Sequence, residues 1–299
     1  MKKKWIVGTR GSKLALRQTE IVINNLRQAH PDADFEIKII KTTGDSVWNT
    51  PLYLIGQKGL FIKEIEEALA HGDVDLAVHS MKDLPTELLG GLTIAAVLKR
   101  EDPRDTFISL KHDRLSDTPP GSRLGTSSMR RKAQLLAFRK DLEIVSLRGN
   151  VDTRLRKLEE QDLDGIILAH AGVRRMGFGH RVKEVLPVEL MVPPGGQGAI
   201  GIETRSADEA VEMVRPLNDA PTEFEVATER KFQNAVGGGC SVPLGINASL
   251  SEDNVTLHAV FGTEDGTIIF KDRLTGPKHE ADALIEKLLE RLRRAQKQR

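Results

Sequence analysis

An alternation of strand-like and helix-like segments constrains the fold of this chain more than any other feature of its sequence. Ser12 stands at the N-cap position of the first helical segment, and Val22, Ile23 and Leu26 follow at helical spacing. The segments in the first hundred residues are strands at 4–8, 35–41 and 74–78 and helices at 12–29 and 61–70. This order predicts a parallel sheet with helices on its faces.

A second α/β series begins beyond residue 104, and the character of the chain changes after residue 221. The second series has predicted strands at 123–125, 142–147 and 165–169 and predicted helices at 126–138 and 151–161. Residues 192–201 are rich in Pro and Gly and are typical of a crossing linker. The last part has a predicted helix at 223–235, strands at 244–250, 255–261 and 267–274, and a charged C-terminal helix. We therefore expect two α/β lobes with a ligand cleft between them, followed by an α+β domain with an antiparallel sheet.

The overall charge and hydropathy argue against several classes of protein. The 299 residues include 44 basic and 43 acidic side chains, a net charge of +1, which predicts neither a nucleic-acid partner nor a membrane-surface partner. The sequence has no apolar run of membrane-spanning length, and its basic start lacks the apolar stretch of a signal peptide. The single cysteine excludes a disulfide within the chain, and we expect a cytoplasmic protein.

Positively charged side chains recur where predicted strands are followed by helices. They are Arg10, Lys82, Arg130, Arg131, Arg148, Arg154, Arg174 and Arg175. Because cations in the first turn of a helix oppose its macrodipole, we interpret this pattern as a site for an anion with several carboxylates or phosphates. The alternative is that each is a solvated surface charge, but the repetition at five turns favours a ligand. Asp83, the acid next to Lys82, is either a cap or ion-pair partner or a group that holds a cationic nitrogen or donates a proton.

Cys240 follows three glycines, which allow its loop unusual backbone conformations and close approach by another group. A buried cysteine is often only a small hydrophobic residue, but the glycines favour a thiol that carries a covalent group. The eight histidines show no zinc-binding spacing, so we predict no metal. We expect His79 to be a hydrogen-bonded histidine at the end of a strand and not a metal ligand. The sequence also lacks a P-loop and a GxGxxG turn after its first strand.

Six motifs occur in an order that resembles the porphobilinogen deaminase family. They are HSMKDLP (79–85), KREDPRD (99–105), GTSSMRR (125–131), SLRGNVDTRLRKL (146–158), GQGAIGIE (196–203) and GGGCSVPLG (237–245). The resemblance implies an α/β protein with two lobes like type II periplasmic binding proteins and a smaller α+β C-terminal domain. The implied domains are residues 1–98 with 199–216, residues 104–192, and residues 221–299.

The resemblance also implies an activity and a cofactor. Members of the family are transferases that deaminate four porphobilinogen molecules and join them into the linear tetrapyrrole hydroxymethylbilane, in porphyrin and heme biosynthesis. The pyrrole chain is elongated on a dipyrromethane cofactor that is bound to the protein through a thioether. By its place in the GGGC motif, Cys240 would be the cysteine that forms this thioether. Asp83 would be the catalytic carboxylate, which stabilises the positively charged nitrogen of the deaminated substrate.

The remaining motif positions imply the binding residues. Porphobilinogen carries an acetate and a propionate, so each ring brings two carboxylates that need cations and hydroxyls. In addition to Cys240, the implied cofactor-binding residues are Lys58, Ser80, Lys82, Asp83, Thr126, Ser128, Arg130, Arg131 and Arg148. The implied substrate-binding residues are Arg10, Ser12, Arg148, Arg154, Arg175 and Gln197. We expect a monomer.

Two other functions fit parts of the sequence. A non-catalytic two-lobe anion-binding protein would share the arginine pattern, but it leaves the GGGC segment unexplained. A phosphate-ester enzyme would use the same cations, but it needs a metal site or a P-loop. Release of ammonia from porphobilinogen distinguishes both from a deaminase.

Overall fold

The computed structural model of the chain describes residues 2–42, 62–237, 242–263, 265 and 267–298. The chain forms two compact units, of which the first takes Met1–Glu101 and Ala199–Phe224 and the second takes Asp102–Gly198 and Glu225–Arg299. The chain therefore leaves the first unit and returns to it. Because the second unit contains both the expected second lobe and the expected C-terminal domain, the domain boundaries drawn from the sequence stay predictions.

The strands are short and spread along the whole chain. In the described residues they are β1 (Lys4–Thr9), β2 (Asp34–Ile39), β3 (Leu76–Ser80), β4 (Leu92–Val97), β5 (Asp105–Ile108), β6 (Arg123–Gly125), β7 (Glu143–Val145), β8 (Gly165–Ala169), β9 (Glu184–Val185), β10 (Ile200–Arg205), β11 (Leu244–Ser251), β12 (Asn254–Gly262) and β13 (Ile268–Pro277). The sequence pattern does not predict β4, β5 or β9, and the linker expected at 192–201 ends in β10.

The helices include those predicted from apolar periodicity. In the described residues they are α1 (Lys13–Ala29), α2 (Lys63–Ala70), α3 (Met129–Phe138), α4 (Val151–Glu160), α5 (His170–Arg175), α6 (Glu209–Val214), α7 (Ala220–Val236) and α8 (Ala281–Lys297). Val22, Ile23 and Leu26 of α1 are buried, which confirms the predicted inner face of this helix. Among the helices that the structure describes, none is both long enough and apolar enough to cross a membrane.

The sheet of the first unit has the strand order β2-β1-β3-β10-β4. Strand β1 pairs in parallel with β2 and β3, as the β-α-β order predicts. Strand β10 is antiparallel to both β3 and β4, so the expectation of a wholly parallel sheet is wrong at this position. The reason is topological: β10 begins the segment that returns to this unit, and it is not joined to its neighbours by a helical crossover.

The second unit repeats this arrangement in its first sheet, which has the order β7-β6-β8-β5-β9. Strand β6 is parallel to β7 and β8, whereas β5 is antiparallel to β8 and β9. Strand β5 begins the segment that follows the first departure from the first unit, so it is the counterpart of β10. The matching strand orders confirm the expectation of two related α/β lobes.

Separate apolar cores stabilise the sheets. In the first unit Trp5 and Val7 of β1 pack with Val22 and Leu26 of α1, all of them buried. In the second unit the Phe107 ring lies against the backbone of Gly165, where any β-carbon would overlap it. These contacts fix the parallel strands and therefore the turns that follow them.

The C-terminal part of the second unit is an antiparallel sheet of order β11-β12-β13. Helix α8 packs against β12 and β13 and buries Ile285, Leu288 and Leu292. Helix α7 precedes this sheet in the chain. The arrangement confirms the predicted α+β C-terminal domain.

Candidate active site

The turn after β3 carries Lys82 and Asp83 on a short 3-10 helix, Met81–Asp83. The Met81 N–H donates to the Ala199 carbonyl at 3.1 Å, and the Leu84 N–H donates to the Met81 carbonyl at 3.3 Å. The buried Met81 sulfur occupies the place that a β-carbon on Gly201 would need. This packing holds the turn against β10 and leaves Asp83 exposed at the surface of the first unit, while Lys82 is half-buried.

Two of the predicted hydroxyl ligands in the first unit already have partners in the fold. Ser12 caps α1, because its Oγ accepts a hydrogen bond from the Ala15 N–H at 3.2 Å. Ser80 Oγ receives a hydrogen bond from Gln18 Nε2 at 2.8 Å and donates to Gln18 Oε1 at 3.0 Å. Arg10 lies between β1 and α1 and is half-buried. Whether these groups also reach a ligand stays a prediction.

In the second unit, α3 begins directly after β6 with hydroxyl groups at its start. Ser128 Oγ accepts from the Arg131 N–H at 3.4 Å, which makes Ser128 the N-cap of the helix. Thr126 Oγ1 accepts from the Ser128 N–H at 3.2 Å, and the Thr126 N–H donates to the Val145 carbonyl at 2.9 Å. The predicted opening of this helix is confirmed, and its hydroxyls orient the first turn that carries two arginines.

Arg130 and Arg131 are buried, with 5% and 6% of their surface exposed. Each donates through Nη2 to a different oxygen of Asp105, at 2.7 Å in both cases. Their Nη1 atoms donate to the carbonyls of Val192, at 2.6 Å, and Ile167, at 3.0 Å. The sequence interpretation expected both arginines to face an external anion, and the structure places an internal one between them.

Asp105 is wholly buried between the two guanidinium groups. Burial alone would raise its pKa, but the charges of Arg130 and Arg131, with hydrogen bonds from Arg131 and Gln197, hold the pKa well below its usual range. Burial lowers the pKa of Arg130, the charge of Asp105 opposes that shift and the charge of Arg131 adds to it. Arg131 Nε is buried and has no hydrogen-bond partner among the described residues.

Further cations follow the neighbouring strands β7 and β8 at the same edge of the sheet. Arg154 donates through Nε to the Gly149 carbonyl at 2.7 Å, and Arg175 donates through Nη2 to the Gly198 carbonyl at 2.6 Å. Burial, together with the charges of Arg131 and Arg148, lowers the pKa of Arg154 to about 10. Because the charges of Arg131 and Arg148 both act on Arg154, we treat Arg131, Arg148 and Arg154 as one positive cluster.

The structure groups the predicted site residues by unit. The second unit brings together Thr126, Ser128, Arg130, Arg131, Arg148 and Arg154, with Gln197 joined to them through Asp105. The first unit holds Arg10, Ser12, Ser80, Lys82 and Asp83. Lys58 and Cys240 lie outside the described residues. Gly237, the first glycine before Cys240, has a φ of 71°, in the left-handed region that favours glycine.

Sequence reasoning missed Asp105, the carboxylate that holds the arginine pair. A signal was present in the KREDPRD motif, whose last acid is separated only by Thr106 from the apolar pair Phe107 and Ile108. A buried acid at the start of a strand needs cationic partners, and Arg130 and Arg131, two consecutive residues, could supply them.

No group of three or more His, Cys, Asp or Glu side chains in the described ranges is placed to hold a metal ion.

Comparison with known proteins identifies the family. A family model for the dipyrromethane cofactor binding domain of porphobilinogen deaminase matches residues 5–213, and a model for the C-terminal domain of that enzyme matches residues 223–294. The chain belongs to the porphobilinogen deaminase family. This confirms the family, the enzyme class and the dipyrromethane cofactor that the six motifs imply.

Two porphobilinogen deaminases are similar to this chain over nearly their whole length. A porphobilinogen deaminase from Desulforudis audaxviator is 48% identical, over 98% of this chain and 95% of its own. One from Halalkalibacterium halodurans is 50% identical, over 92% of this chain and 89% of its own. Among solved structures, a putative methionine-binding lipoprotein from Bacillus subtilis has a TM-score of 0.45 and 13% identity, and covers 74% of this chain and 92% of that chain.

Proposed function

We propose that this member of the porphobilinogen deaminase family deaminates four porphobilinogen molecules and joins them head to tail into hydroxymethylbilane. The observation that supports this most directly is that two buried guanidinium groups, those of Arg130 and Arg131, share the carboxylate of Asp105. The charges of Arg131 and Arg148 also act on the guanidinium group of Arg154. Two buried guanidinium groups that share one carboxylate leave a net positive charge, which is costly to bury, so this arrangement favours a ligand rich in carboxylates. A growing chain of pyrroles, each with two carboxylates, is such a ligand.

The donors of the second unit fit a bound dipyrromethane. Arg131 keeps a buried Nε–H without a partner among the described residues, and Arg154 is a largely buried cation whose Nε bonds only a neutral carbonyl. Guanidinium groups suit carboxylates because two N–H groups can bind two oxygens. In the proposal Cys240 anchors the cofactor through a thioether, and its carboxylates are held by Lys58, Ser80, Lys82, Thr126, Ser128, Arg130, Arg131 and Arg148.

The cofactor, when bound, supplies the pyrrole carbon to which the first substrate ring is joined. Asp83 is the proposed catalytic residue, because its carboxylate is exposed on a turn that the buried Met81 packs against β10. An anionic oxygen at this position offsets the positive charge that develops on the pyrrole nitrogen when ammonia leaves. The proposed substrate-binding residues are Arg10, Ser12, Arg148, Arg154, Arg175 and Gln197.

The decisive experiment is the intact mass of the denatured protein, compared with that of Cys240→Ser. We expect a two-pyrrole adduct on the wild type only, and ammonia and a linear tetrapyrrole on addition of porphobilinogen. Absence of both products from a wild type that carries or acquires the adduct would overturn the proposed activity. An adduct that persists in Cys240→Ser would overturn the anchor and leave the activity standing.

We further propose that the enzyme acts as a cytoplasmic monomer with a small-molecule substrate and without a nucleic-acid or membrane partner. The single cysteine and the near-neutral net charge of +1 support this proposal. Light scattering at working concentration and fractionation of the producing cell test it. A dimer by scattering, or activity that sediments with membranes, would overturn the corresponding part.

A further inference from the structure

The acid that ends the KREDPRD motif has a contact pattern that none of the assigned roles explains. Asp105 opens β5, is wholly buried, and accepts three side-chain hydrogen bonds. Arg130 Nη2 donates to Oδ2 at 2.7 Å, while Arg131 Nη2 and Gln197 Nε2 donate to Oδ1 at 2.7 and 2.9 Å. Both oxygens are therefore occupied by partners from two distant parts of the chain.

The convergence of two adjacent arginines on one carboxylate is geometrically unusual. Neighbouring residues on a helix point in directions about 100° apart, so their side chains do not normally face the same point. Arg130 and Arg131 stand at the start of α3, yet both guanidinium groups end on Asp105. Both guanidinium groups therefore meet at one carboxylate. Each also donates through Nη1 to a backbone carbonyl, Arg130 to that of Val192 and Arg131 to that of Ile167.

The charge balance gives the same residue a second effect. One carboxylate between two guanidinium groups leaves the pair with one net positive charge, in a place where both cations are almost fully desolvated. Without Asp105 two buried like charges would face each other, and they would separate or draw in ions from solution. Gln197 connects the GQGAIGIE segment to the KREDPRD segment, because its Nε2 donates to the Pro103 carbonyl at 2.7 Å as well as to Asp105.

We propose that Asp105 is a positioning residue, whose carboxylate holds Arg130 and Arg131 in the arrangement that binds the carboxylates of the pyrrole chain. The inference rests on the proposed function, in which these two arginines bind cofactor. Asp105 itself is shielded by its three partners and does not contact ligand. Its loss should weaken cofactor assembly and substrate turnover through displaced arginines rather than through a missing contact.

The test compares Asp105→Asn, Asp105→Ala and a matched control, Asp164→Asn. Asp164 is a half-buried carboxylate of the same unit that accepts from the Arg123 N–H at 2.8 Å and from Lys111 Nζ at 3.2 Å, away from the arginine pair. For each protein we would measure the melting temperature, the adduct mass after incubation with porphobilinogen, and kcat and KM of the loaded fraction.

We expect kcat/KM of loaded Asp105→Asn to fall by about 10²-fold, the order that a small displacement of positioning groups costs. Adduct formation should slow as well, whereas Asp164→Asn should keep both properties despite any loss of melting temperature. Formate should restore part of the activity of Asp105→Ala by replacing the missing carboxylate, and chloride at equal ionic strength should not.

Three outcomes would overturn the inference. The first is wild-type loading and kcat/KM in Asp105→Asn. The second is an equal loss in Asp164→Asn, which would show a general effect of stability. The third is failure of both Asp105 variants to fold with or without formate, because Asp105 would then be a purely stabilising group. Failure of the proposed function is recognised separately, since the wild type would then release neither ammonia nor tetrapyrrole.

Discussion

His79 Nε2 lies 3.0 Å from Glu203 Oε2, and the two side chains are only 2% and 0% exposed. His79 belongs to β3 and Glu203 to β10, so this contact joins the two antiparallel strands just before the turn that carries Asp83. It also confirms the prediction that His79 is a satisfied histidine near the end of its strand, with its partner on the neighbouring strand. Glu203 Oε1 has no hydrogen-bond partner among the described residues, so the carboxylate depends heavily on this histidine.

Replacement of Glu203 by Leu should therefore destabilise the first unit. The variant leaves a buried imidazole nitrogen without its partner, at a cost of about 1–3 kcal/mol in the free energy of unfolding. Urea unfolding followed by circular dichroism measures the change. The double variant Glu203→Leu with His79→Leu lacks both polar partners. Its loss in the free energy of unfolding should therefore be smaller than the sum of the losses in the two single variants. Strictly additive losses would contradict a direct interaction.

Gly201→Ala tests the packing that holds the Asp83 turn. A β-carbon at this position overlaps the Met81 sulfur, so the buried methionine side chain must shift, and we expect it to displace the turn that carries it. We expect a loss of about 1–3 kcal/mol in the free energy of unfolding, as for other overpacked sites, together with a clear fall in kcat. Gly90→Ala is the control, because nothing lies within 4 Å of its added β-carbon. Unchanged kcat in Gly201→Ala would show that the turn tolerates displacement.

The fold was predictable where the signal is local. The Ser12 cap and the apolar spacing of α1 specify that helix from neighbouring residues alone, and the structure confirms it. Strand β5 is only four residues long, and β10 takes its place in the sheet from the course of the whole chain. Neither position follows from periodicity, because strand order is set by non-local pairing.

The candidate site was predictable as a set of cations but not as an arrangement. Because Arg130, Arg131 and Arg148 follow predicted strands, the sequence places them at the edge of the sheet where parallel strands end. The partner of the first two is Asp105, which lies 25 and 26 residues away in the sequence. Only packing brings it there. The roles of Lys58 and Cys240 stay predictions that rest on motif position.

The buried carboxylate of Asp105 predicts an acid-sensitive part of the stability. Because Arg130 and Arg131 overcome the effect of burial and hold its pKa below the unfolded value of about 4, its contribution is fully present above that pH. The contribution is lost as pH falls through the lower pKa of the folded state. In urea unfolding from about pH 6 to about pH 2, the free energy of unfolding should therefore decline less steeply for Asp105→Asn than for the wild type. Identical slopes would contradict the prediction.

Asp83→Ala should separate catalysis from stability. Asp83 is exposed, so the free energy of unfolding should change by no more than about 0.5 kcal/mol, as at other surface positions. Its carboxylate is the proposed stabiliser of a developing positive charge, so turnover should fall by about 10²–10⁴-fold. Ammonia release measures turnover, and the intact mass shows whether the two-pyrrole adduct is still present.

The control for this variant is Glu87→Ala, which removes another exposed carboxylate shortly after the same turn. Glu87→Ala should keep both the adduct and the turnover, because the proposal assigns catalysis to the carboxylate at position 83 and not to negative charge near Lys82 in general. If Asp83→Ala retains the adduct and loses turnover while Glu87→Ala retains both, the effect belongs to the carboxylate at position 83. Equal turnover in the two variants would remove Asp83 from the catalytic role, and loss of the adduct in Asp83→Ala would move that role to cofactor assembly.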